Sequence, residues 1–138
     1  MRQFLIATAS AAALSLSATG AFADGHAGVK GSDQSVEGGT VTASQVMAPA
    51  NGWLVVHRTD DTKKPGPVVG HAPLKKGENA NITAILTEPV KTGEMLMLML
   101  HGEDGGNKTG IFEYSLGAKE DGPVKVDGKL VMTVITAK

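Results

Sequence analysis

The tripeptide Asp24-Gly25-His26 is the most specific local pattern for metal chemistry in the chain. A free amine, two backbone amides and a histidine in third position can wrap a square-planar Cu(II) or Ni(II) ion, because these ions favour tetragonal nitrogen ligands. The pattern requires that proteolysis makes Asp24 the first residue. If the position of His26 is accidental, the tripeptide is simply part of a polar segment.

A second set of candidate ligands consists of histidines and methionines further along the chain. They are His57, His71 and His101, with Met47, Met95, Met97, Met99 and Met132. Imidazole and thioether groups suit copper, and several thioethers suit Cu(I) in particular. In a simple up-and-down order of strands, His71 and His101 end strands that run in the same direction. His57 ends an opposite strand, so we expect it to lie apart from the other two.

The competing interpretation of these residues is structural. Methionines that alternate with leucines commonly fill irregular gaps in a core, and histidines at strand ends commonly hydrogen-bond to a turn. The sequence favours this interpretation over a metal site that contains His57, His71, His101 and Met99.

Composition and motifs argue against several functional classes. The chain has 138 residues, no cysteine and a formal net charge of -1. Without cysteine there is no disulfide framework, thiolate nucleophile or thiolate metal site. Nucleic-acid binding needs clustered basic residues, which the near-neutral balance does not supply. The sequence carries no hydrolase, metalloprotease, phosphate-loop or dinucleotide motif. We therefore expect no catalytic residues and no cofactor, with copper as the alternative.

The N-terminal segment predicts export. Residues 1–23 combine one positive charge, a short apolar stretch and the small-x-small ending Ala21-Phe22-Ala23, which is typical of a secretory signal peptide. We expect a periplasmic or secreted protein without a membrane span. Residues 24–38 are polar and rich in glycine, which predicts a flexible N-terminal arm. The folded domain is expected over residues 39–138.

Short apolar runs separated by turn residues predict seven β-strands in that domain. Their expected bounds are 40–47, 53–59, 68–72, 79–86, 94–101, 110–116 and 129–136. In the fifth run, Met95, Met97 and Met99 alternate with leucines, and His101 continues the methionine face. Because both faces are apolar, this strand is expected to be central. One face would meet the core, and the other a loop, a partner chain or a ligand.

Several segments resemble an uncharacterised family of secreted immunoglobulin-like β-sandwich domains, found in haloarchaeal surface proteins and exported bacterial proteins. The segments are APANGWLVVH (48–57), PGPVVGHAPLKKGENANITAIL (65–86), MLMLHGEDG with GIFEY (97–114), and EDGPVKVDG (120–128). The resemblance implies an all-β, immunoglobulin-like β-sandwich of about seven strands, and it implies no reaction.

Taken together, the sequence predicts an exported, non-catalytic β-sandwich module. It would act by binding a protein or small ligand, or by structural association. The alternative is a periplasmic copper-binding protein that uses Asp24-Gly25-His26 or a His/Met site.

Overall fold

The structure is a computed structural model that describes residues 26–138, and every regular element within them is a β-strand. In chain order the strands are β1 (Gly28–Lys30), β2 (Thr40–Ala48), β3 (Gly52–Thr59), β4 (Val68–Leu74), β5 (Gly77–Leu86), β6 (Met95–Gly102), β7 (Lys125–Val126), β8 (Lys129–Leu130) and β9 (Met132–Thr136). Within the described residues, no helix is long and apolar enough to cross a membrane. The predicted signal peptide lies outside the described residues.

Seven strands form one antiparallel sheet in the order β1-β2-β5-β4-β3-β6-β9, and β7 pairs with β8 in a small second sheet. The large sheet curls until β1 contacts β9. Residues just after β1 close the gap, since Gln34 bridges to Ala137 and the N–H of Lys138 donates to the carbonyl of Gln34 at 2.9 Å. The sheet is therefore nearly closed, which confirms the prediction of an all-β, sandwich-like domain.

The main hydrophobic core fills the inside of this curled sheet. Leu54 and Val56 of β3 point into it, as do Leu96, Leu98 and Leu100 of β6, and all five are at most 1% exposed. Burying a leucine or valine side chain contributes about 1.5–3 kcal/mol to folding. The intervening residues of β3 and β6 are buried on the opposite face, so both strands are central and covered on both sides.

Five predicted strands, at 40–47, 53–59, 68–72, 79–86 and 94–101, are confirmed with shifts of one or two residues at their ends. Pro73 was expected to stop the third of these strands, but β4 continues through it to Leu74. Proline is tolerated because β4 pairs with β5 only at Gly70 and His71, so its missing N–H breaks no ladder there.

Two predicted strands differ from the structure. The strand expected over 110–116 is wrong, because this segment belongs to a loop. The run expected over 129–136 is divided at Val131 into β8 and β9. Asp127 and Gly128 form a two-residue turn between β7 and β8, and both have positive φ, at 51° and 76°, as a tight hairpin of this kind requires.

Part of the segment expected to be a flexible arm, residues 24–38, is built into the sheet. Residues 28–30 form β1, which pairs with β2, and Val29 and Val36 are buried. The side chain of Gln34 imitates a strand partner: its Oε1 accepts from the Thr42 N–H and its Nε2 donates to the Thr42 carbonyl, each at 2.8 Å. The polar composition predicted that the entropy cost of ordering this segment would keep it flexible. Two buried valines and these hydrogen bonds offset that cost.

Replacing Gln34 by alanine tests whether this segment is part of the fold. We expect Gln34→Ala to lower the free energy of unfolding by about 1–3 kcal/mol, because two backbone groups of Thr42 lose their partners. Chemical denaturation measures the change, with Glu37→Ala at an exposed position nearby as the control. Equal stability of the two variants would contradict the account.

Candidate functional site

The outward faces of β3 and β6 form a buried ladder of three residue pairs. The pairs are Trp53 with His101, Val55 with Met99, and His57 with Met97. Trp53 is 6% exposed, and the other five residues are fully buried. The two histidines stand at opposite ends of the ladder, on neighbouring strands, with Val55 and Met99 between them. They approach each other across that middle pair.

A long irregular connection covers this ladder. We call residues 103–122 the covering loop; loops of this length without regular structure are uncommon in compact domains and are often functional. Asp121, which is fully buried, organises it. Its carboxylate accepts hydrogen bonds from the backbone N–H groups of Asp104, at 3.1 Å, and Glu113, at 2.8 Å. The sequence predicted a strand over 110–116, which would need a neighbouring strand to accept its N–H groups. The Asp121 carboxylate accepts the hydrogen bond of the Glu113 N–H instead.

Two aromatic residues of the covering loop lie against the ladder. The Tyr114 ring is 4.5 Å from the His101 ring and 6.0 Å from the His57 ring, between centroids. The Phe112 ring is 5.5 Å from that of Trp53. Phe112 and Tyr114 are two residues apart, the spacing that predicted a strand over 110–116. In the covering loop, both aromatic side chains lie on the side that faces the ladder.

His57 and His101 make direct contact through their ring nitrogens. Their Nε2 atoms are 3.2 Å apart, and the rings are nearly parallel, with centroids 5.3 Å apart. The Nδ1 atom of His57 lies 2.8 Å from the carbonyl oxygen of Gly66, and that of His101 lies 2.7 Å from the carbonyl oxygen of Asp121. A continuous chain of three polar contacts thus runs from one backbone carbonyl to the other.

The number of available hydrogens is one fewer than this chain of contacts requires. Carbonyl oxygens only accept, so each Nδ1 must carry a hydrogen and donate it. A neutral imidazole has one N–H, which leaves both Nε2 atoms as acceptors that face each other. The Nε2–Nε2 contact is complete only when a proton or another cation lies between the two nitrogens.

Tight turns of the chain place the two carbonyl groups. Gly66 ends the loop between β3 and β4, where its N–H donates to the Arg58 carbonyl at 2.8 Å. A Cβ atom at position 66 would lie 2.6 Å from that same carbonyl oxygen, so only glycine fits. On the other side, the Asp121 N–H donates to the Asp104 carbonyl at 2.8 Å, and the Gly122 carbonyl accepts from the Gly102 N–H at 3.0 Å, so hydrogen bonds anchor the backbone on both sides of the Asp121 carbonyl.

Burial disfavours a proton as the shared cation. The pKa of His101 is lowered to about 4, because desolvation, helped by the neighbouring His57, outweighs the opposing effects of the Asp121 carbonyl and charge. Desolvation also lowers the pKa of His57, against the hydrogen bond to Gly66. At neutral pH both rings are therefore uncharged, and two nitrogen lone pairs converge in an apolar environment.

The structure combines the sequence-predicted site residues differently from the expectation. His57 was expected to lie apart from His101, and this is wrong because β3 and β6 are adjacent strands. His71 lies on the same face but is exposed, and it stacks on Phe112 at 4.4 Å. Met99 lies between the paired histidines.

His26 is exposed, and its partners Asp24 and Gly25 lie outside the described residues, so the N-terminal site stays a prediction.

Sequence reasoning did not identify Gly66, Asp121 or Tyr114 as parts of the site. Asp121 adopts a positive φ of 46°, which is uncommon for a residue other than glycine. Among residues 26–138, no group of three or more His, Cys, Asp or Glu side chains is placed to hold a metal ion. A metal ion at the histidine pair would therefore take two imidazole nitrogens and complete its coordination with a thioether or an external ligand.

The lowered pKa values predict how stability depends on pH. Between about pH 4 and 6.5 the unfolded state binds more protons than the folded state, so the free energy of unfolding falls as the pH is lowered through this range. For His101 the loss is at most about 3 kcal/mol. Urea unfolding between pH 7.5 and 4 should show a smaller loss for His101→Asn than for the wild type. A wild-type protein that gains stability on acidification from pH 7 to 5 would contradict this.

The comparisons with known proteins give a family but no activity. One family model, described as a domain of unknown function (DUF7282), matches residues 27–138. No curated protein and no solved structure matches the chain. The family match agrees with the resemblance to an uncharacterised family drawn from the segments quoted above, and it spans nearly all of the described residues. The chain therefore belongs to the DUF7282 family.

Proposed function

We propose that this protein is an exported, non-catalytic domain that binds a copper ion between His57 and His101. The observation that carries the proposal is the distance of 3.2 Å between two Nε2 atoms whose Nδ1 atoms both face carbonyl oxygens. Metal-bound histidines commonly donate their other N–H to a carbonyl or carboxylate, which fixes the tautomer and aims the ligand nitrogen. Both rings have this outer-shell partner.

The separation of the nitrogen atoms suits a shared metal ion. Two imidazole nitrogens at about 2.0 Å from a metal are about 3.3 Å apart in tetrahedral coordination and about 3.5 Å apart in trigonal coordination. The observed 3.2 Å needs only a small movement of the rings to reach either geometry. The hydrogen bonds to Gly66 and Asp121 can persist during such a movement.

The side chains around the pair favour copper over other transition metals. Met99 lies in the middle of the ladder between the two histidines, and Met97 pairs with His57. Thioether sulfur is a soft ligand that suits Cu(I), whereas zinc sites use thiolate, imidazole or carboxylate ligands. Two buried methionines thus share the ladder with the two histidines, and neither belongs to an exposed methionine-rich loop.

Export and the absence of catalysis complete the proposal. The N-terminal sequence has the pattern of a signal peptide, which supports a periplasmic or secreted location. A loop closes the histidine pair from above, and a surface cavity of about 470 Å³ beside Trp53 is lined by neither histidine. Carrying or storing an ion fits a closed site better than turnover of a substrate does.

Asparagine substitutions test the proposal with little disturbance of the fold. The Asn amide nitrogen occupies the position of Nδ1, so His57→Asn and His101→Asn keep the donor to the backbone carbonyl and remove Nε2. Loss of an outer-shell partner typically weakens metal binding roughly 10- to 100-fold. Each variant loses a ligand atom itself, so we expect a larger loss of copper affinity. Isothermal titration of the purified protein with Cu(I) under anaerobic conditions measures the effect.

His71→Asn is the matched control, since His71 lies on the same face but outside the pair. It should bind copper like the wild type. All variants are made together with His26→Ala, which removes the predicted N-terminal site. Copper binding that survives both His57→Asn and His101→Asn, in proteins with wild-type circular dichroism, would refute the proposal.

A further inference from the structure

We infer that the histidine pair accepts a monovalent cation, Cu(I), and discriminates against divalent ions such as Cu(II) and Zn(II). This inference rests on the proposed function and adds the charge of the ion that the site selects. It follows from the charge, burial and softness of the groups around the two Nε2 atoms.

The charge balance of the site allows one positive charge. The candidate ligands, two imidazoles and a thioether, are neutral. Asp121 is the only fully buried carboxylate among residues 26–138, and its backbone carbonyl contacts His101 directly. Three carboxylates of the covering loop are half-buried rather than fully buried: Glu103 accepts from the Trp53 Nε1–H at 3.0 Å, Glu113 accepts from the Asn107 N–H at 2.7 Å, and Glu120 is the third. One cation and the Asp121 carboxylate together leave the site neutral.

The basic residue that follows His57 in the chain does not alter this charge balance. Arg58 follows His57 in the chain, so its side chain lies on the opposite face of β3, where the guanidinium pairs with Glu88 and Glu94 at 3.1 and 3.4 Å. The ladder residues and aromatic rings beside the pair carry no formal charge: they are Trp53, Val55, Met97, Met99, Phe112 and Tyr114. No further anion faces the nitrogen atoms from β3, β6 or the described covering loop at full burial.

Because the site is buried, its charge balance favours a monovalent ion over a divalent ion. The free energy of moving an ion out of water rises with the square of its charge, so a divalent ion loses about four times as much hydration as a monovalent ion of the same size. A second positive charge would remain uncompensated between two neutral rings. Cu(II) also favours a tetragonal arrangement of four nitrogen or oxygen ligands, which two imidazoles and a thioether do not provide.

Silver provides an air-stable probe, because Ag(I) has the charge and the soft character of Cu(I). The His26→Ala protein is titrated with AgNO3 in chloride-free buffer, and separately with ZnSO4 and CuSO4. The fluorescence of Trp53, the only tryptophan, reports binding because Trp53 pairs with His101 in the ladder. We expect Ag(I) to bind at least about 100-fold more tightly than Zn(II) or Cu(II), a difference of about 2.7 kcal/mol.

The outcomes separate this inference from the proposed function. Tight Ag(I) binding that is lost in His57→Asn, with weak binding of both divalent ions, supports the inference. Zn(II) or Cu(II) binding that equals Ag(I) binding and also needs His57 overturns the inference and leaves a metal site at the pair. Failure of all three ions to bind overturns both.

Methionine variants test the soft ligand separately. Met99→Leu keeps an apolar side chain of similar size and removes the thioether of the residue that stands between the histidines in the ladder, so we expect Ag(I) binding about tenfold weaker than in the wild type. Met95→Leu is the control, because Met95 lies on the same face of β6 but pairs with Thr59 beyond the histidines. Equal Ag(I) affinity of the two variants would exclude the Met99 thioether as a ligand.

Discussion

Two backbone carbonyl groups determine the chemistry of the buried histidine pair. The Gly66 and Asp121 carbonyl oxygens can only accept, so each requires a hydrogen on the Nδ1 atom that it faces. That requirement directs two Nε2 lone pairs toward each other at 3.2 Å. If either carbonyl pointed elsewhere, one ring could adopt the other tautomer, and the two histidines would form an ordinary hydrogen bond. The rest of the site follows from this constraint.

The fold maintains this arrangement by covering both faces of the same two strands. The inner face of β3 and β6 belongs to the main core, so the backbone that carries His57 and His101 is fixed by leucine and valine packing. The outer face is covered by a loop whose backbone is tied to the Asp121 carboxylate. Burial keeps a proton out at neutral pH, because desolvation penalises the charged ring. It also strengthens any interaction with an ion that does enter.

The local pattern of the chain predicted most of the fold. Alternating apolar residues located five strands closely, and the all-apolar run from Met95 to Leu100 indicated a central strand covered on both sides. Two errors have the same physical origin. Residues 28–38 and 110–116 depend on partners that lie outside each segment, eight residues further along the chain: Thr42 for Gln34 and Asp121 for Glu113. Local composition does not contain such contacts.

The candidate site was predicted only in its components. Histidine and methionine were correctly selected as the residue types capable of metal chemistry, but their pairing depends on strand order. A simple up-and-down order separates His57 from His101, whereas the actual order places β3 directly beside β6. Gly66 and Asp121 contact the histidine rings through their backbone carbonyl groups, which any residue possesses. No side-chain pattern reveals them before the turns are known.

The protonation of the four ring nitrogens in His57 and His101 is the most direct test of this account. Nitrogen-15 NMR of the metal-free protein at pH 7 should show a hydrogen on both Nδ1 atoms and on neither Nε2 atom. One equivalent of Ag(I) should then shift both Nε2 resonances while both Nδ1 atoms keep their hydrogens. A hydrogen on either Nε2 atom in the metal-free protein would contradict the account, because an ordinary hydrogen bond would already occupy the place assigned to the cation.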